Sequence, residues 1–470
     1  MRVTLVNPPS PGSTHISRGL MGGFGMAVGK SLLYPPIELA HIAAVLREAR
    51  HKVHIFDCDA DGLTTEDLLA RLRIEKPRAI GVDTSTASWT TDLALAKALA
   101  GRGDAHIFSL GSHVTHAPEE VFSDTPVEAI VRGEPEHTVR DLVDAWAKDR
   151  SLAEVPGLHY RADDGSMCMT EERPLIKDLD GLPLPARDLL ANDRYHFPDM
   201  RGPVTTVKSS RGCPLDCAFC GYVLIQGRRF RYRSPDNVVA ELKDIHGRGI
   251  PNVVFRDPIF TVGKPRVLAI MEGIQHEGIR IRWQCETALR YLNFDVIDAM
   301  AAAGCVHISF GVETGNAELM EKYAANKLPE SGVEAARAVV KRCRSRGIDT
   351  RGFCMIGFPE ETPAMTAETV DLITRLNPDT VQFTAVTPYP GTPLFNQVEG
   401  REDLQMKDLS GYLPMAGNEH MDAEEIKSQI KKAYRRFYVR PGKMLGELRH
   451  PLRLVQKAFR YRSLFDATSA

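Results

Sequence analysis

Three cysteines stand close together in a loop-forming segment of the chain. Cys213, Cys217 and Cys220 lie within eight positions, and glycine, proline and aspartate surround them. Thiolates at positions i, i+4 and i+7 of a tight loop can ligate three irons of a cubane cluster and leave the fourth without a protein ligand. A structural zinc ion normally requires four closed ligands, and no other Cys or His lies nearby in the sequence. The spacing therefore predicts a [4Fe–4S] cluster with one open iron.

A series of strand and helix patterns carries this cysteine segment. Between about residues 201 and 400, six short β-rich runs alternate with amphipathic helical patterns. Parallel neighbouring strands need a crossover, so this alternation predicts a parallel sheet, and six units predict an open (β/α)6 partial barrel. Active-site groups of such barrels lie at the carboxyl ends of the strands. Cys213, Asp257, Glu286 and Glu313 fall at four successive strand ends.

The first 150 residues show a separate strand–helix alternation. It predicts an α/β fold with a doubly wound, Rossmann-like sheet. A glycine-rich stretch, residues 19–31, interrupts the first crossover and is typical of a mobile loop over a ligand. Residues 151–200 are irregular and predict a linker. Residues 401–470 are basic with helical patterns, which favours a solvated helical extension over a membrane-surface or partner helix.

Composition excludes some classes of protein. The 470 residues include 59 Lys and Arg and 61 Asp and Glu, a net charge of −2, which gives no electrostatic case for nucleic-acid binding. No apolar run has the length of a membrane span, and the N-terminus has no signal-peptide core, so we predict a cytoplasmic protein without a transmembrane segment. Cysteines in that compartment are seldom paired. Six are predicted to be mostly core residues: Cys58, Cys168, Cys285, Cys305, Cys343 and Cys354.

The motifs resemble a known family. CPLDCAFCGY is similar to the CxxxCxxC motif of the radical S-adenosylmethionine (SAM) superfamily, and SSRGCPLDCAFC resembles its cobalamin-dependent branch. That branch includes class B methyltransferases and the anaerobic magnesium-protoporphyrin ester cyclase. Further segments resemble it in the correct order along nearly the full chain: HVTHAPEEVF with AIVRGEPEHT, then FRDPIFT, AGCVHISFGVETGN, GFCMIGFPEET and TPYPGTPLF.

The resemblance implies that SAM binds at the open iron through its amino and carboxylate groups. Reductive cleavage of SAM then yields a 5′-deoxyadenosyl radical. Tyr222 is implied beside the adenine, and Glu313 and Gly357 in the SAM pocket. Asp257 falls where the branch has an acidic pair, but Pro258 replaces the second polar residue. The alternatives are that Glu313 caps the following helix and that Gly357 is only part of a turn.

The resemblance also implies cobalamin in the N-terminal domain. Ligands of doubly wound sheets bind outside the carboxyl ends of the strands, and small hydroxyl residues and glycine there suit a corrin or any phosphate or dinucleotide ligand. The candidate residues are Ser85, Thr86, Gly111, Ser112 and His113. A D-x-H-x-x-G match at residues 244–249 closes a predicted barrel helix, so no protein histidine is expected beneath cobalt. A vestigial domain that no longer binds cobalamin is the alternative.

The implied reaction is functionalisation of an unactivated C–H bond, in first place C-methylation of a small natural-product or cofactor intermediate. Radical oxidation, cyclisation or diol dehydration without methyl transfer is the alternative, and a SAM- or cobalamin-sensing regulator or carrier is one from another class. A small-molecule substrate and an external electron donor such as flavodoxin or ferredoxin are implied. No catalytic residue is assigned. Five polar or aromatic residues are candidate substrate contacts, although each could equally be structural: Trp283, Gln284, Arg290, Gln382 and Tyr389.

Overall fold

The structure is a computed structural model of the chain. It describes residues 1–12, 14–99, 105–198, 200–398, 414, 416–440 and 443. The described chain divides into two compact units. The first comprises residues 1–206, 211–213 and 220–232, and the second comprises residues 207–210, 214–219 and 233 onward. The cysteine segment thus contributes residues to both units.

The first unit is built on a seven-stranded sheet of order β4-β1-β5-β6-β7-β8-β9. Its first five strands are parallel and β8 and β9 are antiparallel. The strands, with a small hairpin, are β1 (Arg2–Asn7), β2 (Thr14–Ser17), β3 (Met26–Gly29), β4 (Lys52–Asp57), β5 (Ala79–Asp83), β6 (His106–Leu110), β7 (Ala129–Val131), β8 (Leu158–Arg161) and β9 (Met167–Met169). The helices are α1 (Ile37–Glu48), α2 (Cys58–Asp61), α3 (Thr65–Glu75), α4 (Trp89–Ala98), α5 (Ser112–His116), α6 (Pro118–Asp124) and α7 (Pro135–Ala147).

The strand order explains where this unit offers a ligand site. The chain runs from β1 to β4 on one side and then crosses to β5 on the other, so the order reverses between β1 and β5. Ligands of doubly wound sheets bind at such a switch point, outside the carboxyl ends of the strands. The β-rich runs predicted from the sequence form all five parallel strands. The predicted doubly wound α/β sheet is confirmed.

The stretch predicted as an irregular linker contains regular structure. The hairpin of β8 and β9 extends the sheet beyond β7. Tyr195 is fully buried, and its hydroxyl donates to Asp57 Oδ2 over 2.9 Å. Arg187 is also fully buried and donates to the Thr206 carbonyl over 2.7 Å. These anchors join residues far apart in the chain, which is why local patterns did not reveal them.

The glycine-rich stretch is folded onto the sheet. Strand β3 lies within it and pairs in antiparallel fashion with β2, which precedes it. Between them, Gly22, Gly23 and Gly25 have positive φ angles of 72°, 95° and 81°. A β-carbon on Gly22 would lie 2.6 Å from the Tyr222 nitrogen, and one on Gly25 would collide with Ser85. Only glycine allows so close an approach of this backbone to its neighbours.

The second sheet has six strands in the order β10-β13-β14-β15-β16-β17, of which β13 to β17 pair in parallel. The strands from here on are β10 (Val204–Val207), β11 (Ser210–Arg211), β12 (Arg231–Tyr232), β13 (Asn252–Phe255), β14 (Arg282–Thr287), β15 (Cys305–Glu313), β16 (Asp349–Ile356) and β17 (Thr380–Ala385). The helices are α8 (Tyr222–Gln226), α9 (Pro235–Gly247), α10 (Lys264–His276), α11 (Phe294–Ala302), α12 (Ala317–Tyr323), α13 (Val333–Ser345), α14 (Pro363–Leu376), α15 (Pro393–Val398) and α16 (Ala423–Tyr438). Six strands in sequential order confirm the predicted partial barrel.

Alternate strand residues form the barrel's outer core. Ile308, Phe310 and Val312 of β15 are buried with apolar residues of the surrounding helices, whereas Ser309 and Gly311 between them face the other way. Trp283 belongs to this core, and its indole nitrogen donates to the Ala303 carbonyl over 2.8 Å. Its prediction as a substrate contact is therefore wrong. The Trp283 side chain points outward from the barrel sheet and packs against the surrounding helices.

Part of the predicted C-terminal extension is described. Helix α16 buries Ile426, Ala433 and Phe437 in the barrel core. The Tyr438 hydroxyl accepts a hydrogen bond from the Val381 nitrogen of β17 over 3.0 Å. The helix therefore takes the place of a barrel helix against the last strand. Residues 401–413, 415, 441–442 and 444–470 of the predicted extension lie outside the described residues. No helix among the described residues is long and apolar enough to cross a membrane.

Candidate functional site

The first and third cysteines lie in the first unit. Cys213 is buried and Cys220 is half-buried. The Cys213 nitrogen donates to the Gly227 carbonyl over 3.2 Å. Gly212 has a φ of 79°, and a β-carbon on it would collide with the Arg229 carbonyl oxygen. Glycine is required at this position, because it lets the chain turn tightly into the cysteine segment.

The second cysteine lies in the second unit, beside the segment that follows α12. The Ala218 nitrogen donates to the Tyr323 carbonyl over 2.9 Å. The Ala325 nitrogen donates to Cys217 Sγ over 3.5 Å. Hydrogen bonds to cysteine sulfur are among the features that set the reduction potential of an iron–sulfur cluster. Residues 323–325 therefore support Cys217 both mechanically and electrostatically.

Four buried charges hold the flanks of the cysteine segment in the first unit. Arg211 Nη2 lies 2.5 Å from Glu136 Oε1, and Arg211 Nη1 lies 3.2 Å from Glu134 Oε1. Arg231 donates to both Glu134 oxygens over 2.9 Å. Burial alone would raise the pKa of Glu136, but Arg211 lowers it to about 2. We name these four residues the arginine–glutamate cluster. It ties the turn between β7 and α7 to both sides of the cysteine segment.

Glu313 ends β15 in a strained conformation. Its φ is 63°, and the pairing with β16 shifts register between Gly311 and Glu313. A non-glycine residue in this region persists only where its surroundings impose it, and such residues cluster at functional sites. Its carboxylate is buried and forms an ion pair with Lys327. Helix α12 is capped instead by Asn316, whose side chain accepts from the Leu319 nitrogen over 3.1 Å. The helix-capping alternative for Glu313 is therefore excluded.

The carboxylate of Asp257 accepts hydrogen bonds from residues close to it in the second unit. Its carboxylate accepts hydrogen bonds from the Ser209 nitrogen over 3.2 Å, from the Ser209 hydroxyl over 2.7 Å and from the Ser210 hydroxyl. The side chain is almost fully buried. These contacts order the two serines that precede the cysteine segment. Its assignment to the SAM pocket stays a prediction.

Gly357 turns the chain at the end of β16 with a φ of 105°. The buried carboxylate of Glu361 accepts from the Gly357 nitrogen over 2.6 Å and from the Phe358 nitrogen over 3.1 Å. Burial raises the pKa of Glu361. The turn is therefore held by a side chain four residues later, and both of its amide hydrogens point at that carboxylate.

The predicted corrin-facing residues lie together at the strand ends of the first unit. Ser112 donates to the Gly22 carbonyl over 2.8 Å. His113 Nδ1 lies 3.2 Å from Thr86 Oγ1. Gly111 has a φ of 119°, and a β-carbon on it would collide with the Thr84 carbonyl. The hydroxyl of Ser85, which is also one of the predicted residues, forms a hydrogen bond with the Ser88 hydroxyl over 2.7 Å.

His113 is an uncharged group in this cluster. It is buried and lies against the Trp89 ring, with ring centroids 4.3 Å apart. Burial, with a smaller contribution from His116, lowers the pKa of His113 to about 4. The imidazole is therefore neutral near pH 7. Neutral imidazole, hydroxyls and backbone amides are chemically suited to the neutral amide side chains of a corrin.

A buried ion pair supports these strand ends. Arg18 Nη2 lies 2.6 Å from Asp92 Oδ1, and both side chains are almost fully buried. The second oxygen of Asp92 accepts from the Ser85 nitrogen over 3.1 Å and from the Ser88 hydroxyl over 2.5 Å. Arg18 also donates to Asn7 at the end of β1 over 2.8 Å. The glycine-rich stretch and the strand ends are thus parts of one hydrogen-bonded network.

Comparisons with known proteins settle the family. A description of the radical SAM superfamily matches residues 207–373, and one of the B12 binding domain matches residues 31–143. An uncharacterised methyltransferase of Pyrococcus horikoshii is 32% identical over 468 residues, which cover 98% of this chain and 97% of that protein. The chain belongs to the radical SAM family that carries a B12-binding domain. It is a radical SAM enzyme, and the predicted resemblance is confirmed.

Two further proteins resemble this radical SAM enzyme over most of its length. The anaerobic magnesium-protoporphyrin IX monomethyl ester cyclase of Rubrivivax gelatinosus is 26% identical over 86% of this chain and 74% of its own. The structure of TsrM from Kitasatospora setae, a radical SAM methyltransferase with cobalamin and a [4Fe–4S] cluster bound, superposes with a TM-score of 0.69. It is 19% identical and covers 93% of this chain and 85% of its own. The shared fold is therefore a B12-binding domain followed by a radical SAM partial barrel.

The kinds of donor group present fit the cofactors that the two domains imply. Three cysteine thiols are the donor set of a site-differentiated [4Fe–4S] cluster, and the Ala325 amide already points at one of them. Among the residues that the structure describes, no three His, Cys, Asp or Glu side chains are gathered as a metal site would need. The individual ligand assignments, like those of the SAM and corrin residues, stay predictions.

Several residues of the site were not predicted. Lys327 beside Glu313 lies in a loop with no motif of its own. Glu134 and Glu136 were quoted only within a resembling segment, although two acidic residues just after a buried strand could have indicated buried partners. His246, the histidine of the D-x-H-x-x-G match, is exposed in the last turn of α9, as its helical pattern predicted.

Proposed function

We propose that this radical SAM enzyme is a cobalamin-dependent methyltransferase that methylates an unactivated carbon of a small natural-product or cofactor intermediate. The arginine–glutamate cluster carries the proposal. Glu134 and Glu136 belong to the matched B12-binding domain, and Arg211 and Arg231 flank the cysteine segment. The cysteine segment is thus anchored directly on the domain that would hold the methyl carrier. The methyltransferase relative over nearly the full chain supports the same function.

Each predicted residue has a role in this proposal. When bound, the cluster and SAM supply a 5′-deoxyadenosyl radical and the corrin supplies a methyl group. Cys213, Cys217 and Cys220 would hold the cluster. Tyr222, Glu313 and Gly357 would line the SAM pocket, while Asp257 orders the serines before the cysteines. Ser85, Thr86, Gly111, Ser112 and His113, at the strand ends of the first unit, would hold the corrin.

The substrate would enter the mouth of the partial barrel. Arg256 Nη1 lies 3.5 Å from Glu286 Oε1, and the Glu286 side chain is 45% exposed. Gln284 lies two positions earlier on β14, on the same face. These side chains would orient a polar substrate and keep bulk water from the reacting C–H bond. The protein would act in the cytoplasm with an external one-electron donor such as flavodoxin or ferredoxin.

A second function is favoured by one relative. The ester cyclase of Rubrivivax gelatinosus is 26% identical over 86% of this chain. Radical oxidation or cyclisation without methyl transfer would use the same cysteines and the same SAM pocket. It would differ in the fate of SAM, because methyl transfer yields S-adenosylhomocysteine and radical formation yields 5′-deoxyadenosine.

The test uses full-length protein with a reconstituted cluster, incubated anaerobically with reductant, SAM and hydroxocobalamin. Absorption spectra report the cluster and the corrin, and mass spectrometry reports both SAM products. Both products with a bound corrin support the methyltransferase. 5′-Deoxyadenosine without bound corrin would overturn it in favour of non-methylating radical chemistry. Neither product in the wild type, with iron at the level of a full cluster, would overturn enzymatic function in favour of a sensor or carrier.

A further inference from the structure

A short segment of the first unit runs beside the first cysteine. It comprises residues 227–232, which follow α8, and we name it the return segment. The Cys213 nitrogen donates to the Gly227 carbonyl over 3.2 Å. A β-carbon on Gly212 would collide with the Arg229 carbonyl oxygen, so the two backbones are in direct contact there. The return segment therefore lies close to any cluster that Cys213 holds.

Buried contacts hold the return segment in place. Arg231 is buried within the arginine–glutamate cluster, and its guanidinium also donates to the Ile176 carbonyl over 2.5 Å. Leu175 packs so closely on Gly227 that an added β-carbon would lie 2.5 Å from its Cδ1. The segment cannot move away from Cys213 without breaking these contacts. Its outward side chains therefore stand at a fixed position relative to the cysteine.

The outward side of the return segment is positively charged. Arg228 and Arg229 are exposed, and Tyr232 is 57% exposed. The segment contains three arginines and no acidic residue, although the whole chain has a net charge of −2. Arginine keeps its charge throughout the physiological pH range. The exposed residues around Leu175 carry both signs of charge, as Glu172 and Lys177 do, so the positive surplus belongs to the two arginines.

The chemistry of the cluster requires a partner with the opposite charge. Reductive cleavage of SAM consumes one electron, and the cluster must then be reduced again from outside the protein. Complexes of electron-transfer proteins are small and weak, and opposite charges speed their association by about 10- to 1,000-fold. Arginine and tyrosine are enriched in protein–protein interfaces. Exposed arginines and a tyrosine beside a cluster cysteine therefore suit a carrier protein with an acidic surface.

We propose that the return segment is the docking surface for an acidic one-electron carrier protein. Arg228 and Arg229 pair with carboxylates of the carrier, and Tyr232 packs against it. This inference rests on the proposed radical SAM function. In the docked complex the reduced carrier loses one electron and the oxidised cluster gains it, and no covalent bond forms or breaks. The path for the electron is short because the return segment contacts the backbone at Cys213.

The test uses reconstituted full-length protein and two acidic carriers, a flavodoxin and a ferredoxin. Calorimetry measures carrier binding, and stopped-flow absorbance measures the rate of cluster reduction. The variants are R228E/R229E and R228K/R229K, with R71E/R73E as the matched control because both arginines are exposed on α3 of the same unit. At low salt, R228E/R229E should lower the affinity for the carrier and the reduction rate roughly 10-fold or more. The difference should shrink as salt is raised, because screening shortens the range of the attraction. R228K/R229K and R71E/R73E should resemble wild type.

Reduced methyl viologen, a small cation, provides the control for the cluster itself. It should reduce R228E/R229E at least as fast as wild type, because the reversed charges attract it. Slower reduction of this variant by methyl viologen as well as by the carriers would mean that the arginines support the cluster, and would overturn the proposal. Unchanged carrier affinity and rate in R228E/R229E would overturn it too, as would a wild type that methyl viologen reduces but neither carrier does. If the reduced wild type cleaved no SAM, the proposed function would fail first.

Discussion

Removal of Arg211 tests whether the arginine–glutamate cluster holds the cysteine segment. R211M keeps the length of the side chain and deletes the charge. It leaves Glu136 buried without its partner 2.5 Å away. Breaking a buried pair in this way costs about 3–5 kcal/mol. The pKa of Glu136 supports that size, since a value of about 2 in place of an ordinary 4.5 corresponds to on the order of 3 kcal/mol.

The sign of the pH dependence follows from the same pKa. A carboxyl group whose pKa is lowered by folding stabilises the protein above its unfolded pKa, here 4.5. That stabilisation is lost as the pH falls from 4.5 to about 2. Wild type should therefore lose stability over this interval, and R211M should lose less because Glu136 no longer has its cation.

The assay is urea unfolding followed by circular dichroism, together with iron content after reconstitution. The matched control is R436M, since Arg436 and Asp371 form an ion pair whose side chains are both 53% exposed. Exposed pairs contribute about 0–1 kcal/mol, so R436M should resemble wild type in both measurements. R211M should lower the unfolding midpoint of the first unit and reduce bound iron. If R211M matched R436M in stability and in iron content, the proposed role of the cluster would be refuted.

Three further predictions concern single sites. Cys217→Ala should abolish reconstitution of the cluster, measured by iron content and visible absorbance, whereas Cys343→Ala in the barrel core should retain it; equal iron contents would contradict the ligand assignment. Gly25→Ala should weaken cobalamin retention on gel filtration more than Gly278→Ala does, because both positions have positive φ but only the first has a serine against the added methyl group. The pKa of His113, lowered to about 4, means that stability of the first unit conferred by the neutral imidazole is lost as the pH falls from 6.5 to about 4. Asparagine cannot be protonated in this range, so H113N should flatten the curve of unfolding midpoint against pH over this interval. A curve identical to that of wild type would contradict the prediction.

The two sheets could be predicted from the sequence because their signals are local. Runs of β-branched and apolar residues between helical patterns give the strands and their order. The folded hairpin of residues 158–169 was missed because its pairing partner, β7, lies in the other predicted domain. The same reason applies to Tyr195, whose bond to Asp57 spans 138 positions. Contacts of that length leave no periodic pattern.

The candidate site was predictable only where its residues form contiguous motifs. The three cysteines were predicted as cluster ligands from their spacing. Glu313 and Gly357 were predicted as SAM-pocket residues from the segments in which they occur. The function of Asp257 was open in the sequence because Pro258 replaces the second polar residue, and in the structure its carboxylate accepts hydrogen bonds from Ser209 and Ser210. Lys327 has no local signal, because it meets Glu313 only when the loop after α12 returns to the end of β15.

Departures from ordinary folding rules converge at that strand end. Glu313 has a positive φ, which is strained for a residue with a side chain. Its carboxylate and the Lys327 ammonium are both buried, although burial of charge is unfavourable unless the pair is well matched. The neighbouring strand residues Ile308, Phe310 and Val312 are apolar and buried in the core, as expected for a packed strand. Within β15, strain and buried charge are therefore confined to the last residues, at the end of the strand where the proposed function would bind its ligand.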